Sequence, residues 1–212
     1  MVAFDSVPKN LRWEINCAYN MLTIAYEAKR LFNSLTGFGT YCRTLVFDLS
    51  TFYDKNRYVL YAAEPHGELI RTDTFNSEEV KRVVDLESVS VVYSPSQRRT
   101  LWKLFGARAD IRSRNVDLYH GLTQQIPYSV RSARIPKLLT VHDLIYKYYP
   151  EYVPESELKV FDRQLKSACK ASDRIIAVSE STKNDLIKWF SVSPEKVVVI
   201  YATCDNRFKT VL

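Results

Sequence analysis

The stretch LTIAYEAKRLFNSLTGFGTYCRTLVFDLST, residues 22–51, decides the fold of this chain. It opens with the apolar run Leu22 to Tyr26, whose β-branched and aromatic residues are typical of a buried strand. A turn with two glycines, Thr36 to Tyr41, follows, and Thr40 to Thr51 then places apolar side chains at helical spacing. A strand that leads through a turn into a helix is the unit from which parallel sheets are built.

The rest of the chain repeats this alternation of apolar runs and helical patterns. One further helix is predicted from the apolar stripe Leu158, Phe161, Leu165, Ala168 and Cys169. Another begins near Ser179, whose hydroxyl can cap it, and turns Leu186, Ile187 and Phe190 inward. The pattern predicts an α/β, Rossmann-like fold with a mostly parallel sheet and helices on both faces. Its seven strands are expected at 22–26, 57–62, 89–92, 116–120, 137–141, 174–178 and 197–201.

Composition places the chain among globular proteins. Of its 212 residues, 46% are hydrophobic and 25% charged, and a domain of this size can fold without disulfide or metal staples. Its four cysteines are widely spaced and form no CxxC pair, so we expect reduced thiols in a cytoplasmic protein. No apolar run approaches the length that spans a bilayer.

The formal charge of +6 favours anionic partners. A basic stretch with an apolar face suits either a solvated helix or a peripheral contact with an anionic membrane, such as the inner membrane face. No nucleic-acid partner is expected, because no RNP-like, zinc-ligand or basic-zipper pattern accompanies the charge. The basic residues of this stretch are Arg98, Arg99, Lys103, Arg108, Arg112 and Arg114.

Three segments divide the chain. Residues 1–20 lack periodicity and are expected to be an extension, a misplaced start or a short arm packed on the domain. Residues 21–208 form the predicted Rossmann-like domain, and residues 209–212 read as the start of a truncated linker.

The two glycines before the first long helix are a candidate ligand-binding feature. Gly37 and Gly39 are two of only five glycines, and they allow close approach of a ligand to the unpaired amides at a helix start. The motif is not GxGxxG, because position 42 is Cys, so a dinucleotide fingerprint is not supported. A plain strand-to-helix turn remains the other interpretation.

Two of the three histidines follow neighbouring predicted strands. His120 and His142 stand at carboxyl ends, where open parallel sheets bind ligands. A histidine there can donate a hydrogen bond to a sugar hydroxyl or change charge near neutral pH, and adjacent Asp143 can orient His142. The alternative for each is a histidine satisfied within the core or a loop.

The sequence lacks the motifs of several other enzyme classes. The sequence has no HExxH or other close metal-ligand cluster, no GxSxG and no GxxxxGK[ST], which argues against metalloproteases, α/β-hydrolases and P-loop enzymes. A Cys/His nucleophile pair stays open, although nothing marks any of the thiols as activated.

Five segments in order carry a resemblance to glycosyltransferase family 4, especially to bacterial members that build surface polysaccharides. The resemblance runs from about Met21 to about Phe208. It implies a GT-B architecture of two Rossmann-like domains, with acceptor bound mainly by the first and nucleotide-sugar donor mainly by the second. It also implies sugar transfer from a nucleotide diphosphate donor with retention of configuration, without a metal or other cofactor. The segments are TGFGTY, VDLYHGL, LLTVHDLIYKYYPEY, ASDRIIAVSESTKNDL and SPEKVVVIYATCDNRF.

The resemblance also implies roles for single residues. The loop Gly37, Phe38, Gly39 and Thr40 would approach the donor diphosphate and the acceptor. His142 would reach the transferred sugar, and Asp143 would brace it.

On the acceptor side, the resemblance places Lys29 and Arg30 at the mouth of the site, and His120 and Gly121 are further acceptor-side candidates. Ser179 and Thr182 would cap the helix that overlooks the cleft. Gln124 and Gln125 stand where close relatives tend to carry an Asn-Glu pair, which puts the acceptor preference in doubt.

The largest departure concerns the second half of the active site. The donor-binding domain should follow Phe208, and the sequence stops at Leu212. We therefore expect the acceptor half of a cytoplasmic glycosyltransferase, inactive alone, that needs a separate or missing donor domain. The alternative is a non-catalytic Rossmann-like binding or regulatory module.

Overall fold

The computed structural model describes residues 21–63, 77–94 and 107–204. The first 20 residues, the Arg98, Arg99 and Lys103 part of the basic stretch, and the expected linker lie outside the described residues. The strands are β1 (Thr23–Glu27), β2 (Arg57–Ala63), β3 (Val89–Ser94), β4 (Leu118–Gly121), β5 (Lys137–Val141), β6 (Arg174–Ala177) and β7 (Val197–Val199).

The helices alternate with these strands as the sequence predicts. Short 3-10 turns occupy Ile145–Lys147, Pro150–Tyr152 and Pro194–Lys196. The α-helices are α1 (Lys29–Asn33), α2 (Gly37–Phe52), α3 (Glu78–Val84), α4 (Ala107–Ser113), α5 (Tyr128–Arg131), α6 (Glu155–Ala171) and α7 (Glu180–Phe190).

All seven strands form one parallel sheet in the order β3-β2-β1-β4-β5-β6-β7. The predicted fold class is therefore confirmed, and each strand lies within a few residues of its predicted position. The chain leaves β1 towards β2 and β3, then returns to β4 on the other side of β1. This reversal separates the loops that follow β1 and β4, and such a switch point is where open α/β sheets bind ligands.

Hydrophobic cores cover both faces of the sheet. Alternate residues of β2 point to opposite sides, so that Leu60 packs with Leu31 and Val46 under α1 and α2. Val59 lies in the other cluster, which receives Leu165 of α6 and other buried residues from α4, α5 and α7. The two-sided burial explains why these strands are apolar runs rather than alternating ones.

Two helix predictions need correction. The glycine turn is not a loop, because α2 begins at Gly37, so both glycines lie inside the first helical turn. The apolar stripe of α6 is core only in its second half. Leu165 is buried, whereas Phe161 is 39% exposed and contacts Tyr146 instead of the sheet. In α7, Leu186 is buried as expected.

Among the described residues, none of the helices combines the length and apolar character needed to cross a bilayer.

Candidate functional site

The amino end of α2 presents three backbone amides that have no partner among the described residues. Thr36 precedes the helix, but its hydroxyl meets Ser34 Oγ at 2.8 Å and does not cap it. The first amide bonded back to Thr36 is that of Thr40, at 3.1 Å. Among the described residues, no oxygen accepts from the amides of Gly37, Phe38 and Gly39. Free amides at the positive end of a sixteen-residue helix favour an anion.

The surroundings of the two glycines at this helix start differ. A Cβ on Gly39 would lie 1.9 Å from the Ser34 carbonyl oxygen, so only glycine allows the helix to approach that loop. In the part of the chain that the structure describes, a Cβ on Gly37 would meet no atom beyond its own helical turn within 4 Å, so this side of the turn is open. Buried Arg43 secures the contact, because it donates to the carbonyl oxygens of Ser34 at 2.9 Å and Leu31 at 3.0 Å.

His142, just after β5, packs against the aromatic side chains of Phe38 and Tyr41 in the first part of α2. Its ring meets the rings of Phe38 and Tyr41 edge-on, each at a centroid distance of 4.7 Å. Its Nε2 donates to the Leu122 carbonyl oxygen at 2.9 Å. Burial lowers the pKa of His142, so the ring is neutral at pH 7. Because a carbonyl can only accept, the proton sits on Nε2 and the remaining nitrogen, Nδ1, is a hydrogen-bond acceptor.

The tautomer of His142 refines its expected role. The sequence suggested that this ring donates to a sugar hydroxyl, but its one N–H is already used by Leu122. A hydroxyl that meets the free ring nitrogen must therefore donate to it.

Asp143 does not brace His142 by a hydrogen bond. Its Oδ1 accepts from the Ile145 amide at 3.2 Å, and its carbonyl accepts from Gln124 Nε2 at 3.1 Å. No hydrogen bond between the Asp143 carboxylate and the imidazole occurs in the part of the chain that the structure describes. The carboxylate acts on the ring through its charge, which offsets part of the lowering of the His142 pKa by burial.

His120 lies beneath the site and is 4% exposed. Its Nε2 lies 2.8 Å from Thr140 Oγ1, which in turn lies 3.3 Å from the Tyr41 hydroxyl. Burial, together with the nearby His142, lowers the pKa of His120 to about 3. This geometry favours the packing interpretation of His120, which reaches the site through Thr140 and Tyr41. The next residue, Gly121, is required, because its Cβ would lie 2.2 Å from the Gln125 carbonyl oxygen.

Ser179 caps α7, as the sequence predicts, by accepting from the Thr182 amide at 3.0 Å. The Thr182 hydroxyl donates to the His142 carbonyl oxygen at 2.8 Å. The helix start is therefore tied to the backbone of His142, which fixes the loop after β5 against α7.

The loop after β1 carries the expected basic residues, and also an acid that the sequence reasoning missed. Lys29 and Arg30 are exposed at the start of α1. Glu27, the last residue of β1, accepts from the Lys29 amide at 3.1 Å and from Thr123 Oγ1 at 2.6 Å. Burial raises the pKa of Glu27, against the effect of both contacts and of the two basic side chains. An acid that ends an apolar strand at the switch point was the signal that could have found it.

Two other chemistries find no support in the described residues. No group of three or more His, Cys, Asp or Glu side chains there is arranged to hold a metal ion. Cys42 and Cys169 are buried, and desolvation raises the pKa of both thiols, which is the opposite of nucleophile activation.

One solved structure agrees with this architecture, and a second has a lower TM-score. A solved glycosyltransferase from Rickettsia africae ESF-5 superposes with a TM-score of 0.50 at 17% identity, over 86% of this chain and 43% of that one. A UDP-GlcNAc 2-epimerase from Neisseria meningitidis gives a TM-score of 0.49 at 15% identity, over 84% of this chain and 45% of that one.

The sequence comparisons reach further than the fold. O-antigen chain mannosyltransferase B of Escherichia coli is 22% identical over 91 residues, which are 43% of this chain and 23% of that protein. The chain thus spans less than half the length of each of these relatives. The family profile of Glycosyltransferase Family 4 matches residues 39–206, which is most of the chain, and the chain therefore belongs to glycosyltransferase family 4.

Proposed function

We propose that this chain is the acceptor-side half of a retaining glycosyltransferase. It works with a donor-binding domain to transfer a sugar from a nucleotide diphosphate sugar to a saccharide or lipid-linked acceptor. The proposal depends mainly on one observation: the three amides at the start of α2 have no partner among the described residues, and the same helix start carries Phe38, whose ring centroid lies 4.7 Å from that of the His142 ring.

The amides of Gly37, Phe38 and Gly39 suit the diphosphate of the donor. Charge develops on that group as it leaves, and dipoles fixed in advance stabilise such charge without reorganisation. The open side of Gly37 gives a phosphate oxygen room to approach. Together with basic groups from the donor domain, these dipoles would make a metal ion unnecessary.

His142 would hold the transferred sugar. Its free ring nitrogen accepts a hydrogen bond from a sugar hydroxyl, while Leu122 and Thr182 fix its ring and its backbone. Lys29 and Arg30, in the segment that follows β1, would line the path by which the acceptor enters.

The biological setting that fits is synthesis of cell-surface polysaccharide on the cytoplasmic side of a membrane. The name of the Escherichia coli relative refers to an O-antigen chain and to mannose, so a mannose nucleotide is the first donor to try. Exposed Arg108 and Arg112 on α4 supply part of a basic surface for anionic lipid.

The test joins residues 1–212 to a family 4 donor-binding domain and assays a panel of nucleotide sugars, with the anomeric configuration of the product read by NMR. Transfer with retention supports the proposal, and residues 1–212 alone should show no turnover if, as proposed, most contacts to the donor come from the other domain. An assembled protein that binds saccharide and nucleotide sugar but never transfers would favour the non-catalytic module.

A further inference from the structure

We propose that Glu27 binds a hydroxyl of the acceptor saccharide and so helps to select the acceptor. This inference rests on the proposed function, but its test does not depend on sugar transfer. It starts from the position of Glu27 at the end of β1, where its neighbour in the sheet is Gly121 of β4. The residue thus stands where the order of the strands reverses.

The Glu27 carboxylate links the segment after β1 to the segment after β4, which lie on the two sides of the switch point. One oxygen accepts from the Lys29 amide at 3.1 Å, in the loop after β1. The other accepts from Thr123 Oγ1 at 2.6 Å, in the loop after β4. A ligand bound between these loops would therefore lie next to the carboxylate.

The carboxylate has acceptor capacity left over. An ionised carboxylate offers about four lone-pair positions, and the described residues fill two of them. Glu27 as a residue keeps partial solvent exposure, although the surrounding protein desolvates its carboxyl group. Hydroxyl groups are the donors that a saccharide presents in number, and a hydrogen bond to a charged acceptor is among the stronger ones.

The energetics argue against a purely structural role. Burial raises the pKa of Glu27 although Thr123, Lys29 and Arg30 all act to lower it. Because the folded-state pKa is raised, stability is greatest at low pH and is lost as the pH rises through that pKa. Above that pKa the ionised carboxylate therefore costs stability, because desolvation outweighs the favourable charges of Lys29 and Arg30.

Two variants of the 212-residue chain distinguish a role of Glu27 in ligand binding from a structural role. Glu27→Gln keeps the shape and one acceptor oxygen but removes the charge. Thr123→Val removes the hydroxyl that donates to Glu27 but leaves the carboxylate. If Glu27 binds ligand, Glu27→Gln should melt no lower than the wild type at pH 7.5, whereas Thr123→Val should melt lower, because it leaves a buried charge with one bond fewer.

Binding of α-linked mannobiose is measured by NMR on the isotope-labelled chain, with the disaccharide added up to about 50 mM. Such concentrations are needed because a disaccharide that contacts only the acceptor-side domain should bind with a Kd in the millimolar range. The amides of Lys29 and Thr123 should shift in a saturable way. Glu27→Gln should weaken this binding about tenfold or more, the usual effect of losing a charged hydrogen bond, while Thr123→Val should stay within about twofold.

Three results would overturn the inference. They are no saturable shift in the wild type, equal binding by wild type and Glu27→Gln, or a fall in the melting temperature of Glu27→Gln as large as that of Thr123→Val. The first two show that the carboxylate binds no saccharide, and the third shows a structural tie between the loops. An enzyme joined to its donor domain that transfers sugar despite these results would leave the proposed function intact.

Discussion

Replacing Gly39 with alanine should both destabilise the domain and displace the amides at the start of α2. The new Cβ would lie 1.9 Å from the Ser34 carbonyl oxygen and 2.8 Å from its carbon. Both are backbone atoms, so no side-chain rotation relieves the overlap. The loop must move by roughly 1 Å or more, which also strains the 2.9 Å hydrogen bond from buried Arg43 to the same oxygen.

The expected cost lies at the upper end of the range for overpacking a core, about 3 kcal/mol. For a domain of this size, each 1 kcal/mol lowers the melting temperature by about 2–4 °C, so the variant should melt roughly 6–12 °C below the wild type. Circular dichroism melts of the 212-residue chain measure this directly, and urea unfolding gives the free energy independently.

Gly37→Ala is the matched control two residues away. No described atom outside its own helical turn lies within 4 Å of the added Cβ, and its backbone is not in the left-handed region, so alanine should be neutral or stabilise by about 0.4–1 kcal/mol. Equal melting temperatures for Gly39→Ala and Gly37→Ala would refute the argument that the close approach at Ser34 requires glycine.

Three further predictions concern pH, capping and lipid. Because the folded-state pKa of His120, about 3, lies below its ordinary 6.5, the unfolding free energy should fall as the pH drops from about 6.5, by up to about 2 kcal/mol at pH 5; a flat profile in urea unfolding would contradict this. Ser179→Ala should lose the cap of α7 and about 1 kcal/mol, lowering the melting temperature by about 2–4 °C, and an unchanged melt would show that the cap contributes nothing. In vesicle sedimentation, the basic residues between Arg98 and Arg114 should favour anionic over neutral vesicles by about 1 kcal/mol each at low salt, and equal partitioning would reject the lipid contact.

The architecture could be predicted from the sequence because both faces of the sheet are covered. Strands buried on two sides become short apolar runs, such as Leu138 to Val141, and these mark their own positions. The cap at Ser179 was also predictable, since it depends on neighbours close in sequence.

The site was less predictable because its decisive contacts join distant segments. The hydrogen bond from His142 to Leu122 spans 20 residues, and the one from Thr123 to Glu27 spans 96. Sequence reasoning paired His142 with its neighbour Asp143, but the chain turns there and the carboxylate bonds the Ile145 amide instead. The start of α2 at Gly37 was missed for a different reason, because two glycines so close together favour a turn over a helix in sequence reasoning.

The most direct test of the central claim is kcat/KM for His142→Ala and His142→Gln in the chain joined to a donor-binding domain, measured beside the melting temperature. If the ring accepts a hydrogen bond from the sugar in the transition state, its loss should cost roughly 2–4 kcal/mol, or about thirty- to a thousand-fold in rate. His66→Ala, at a position outside the described residues, is the matched histidine control and should keep its activity. A His142→Ala enzyme with near wild-type activity, or one that loses activity only in proportion to lost folded protein, would contradict the account.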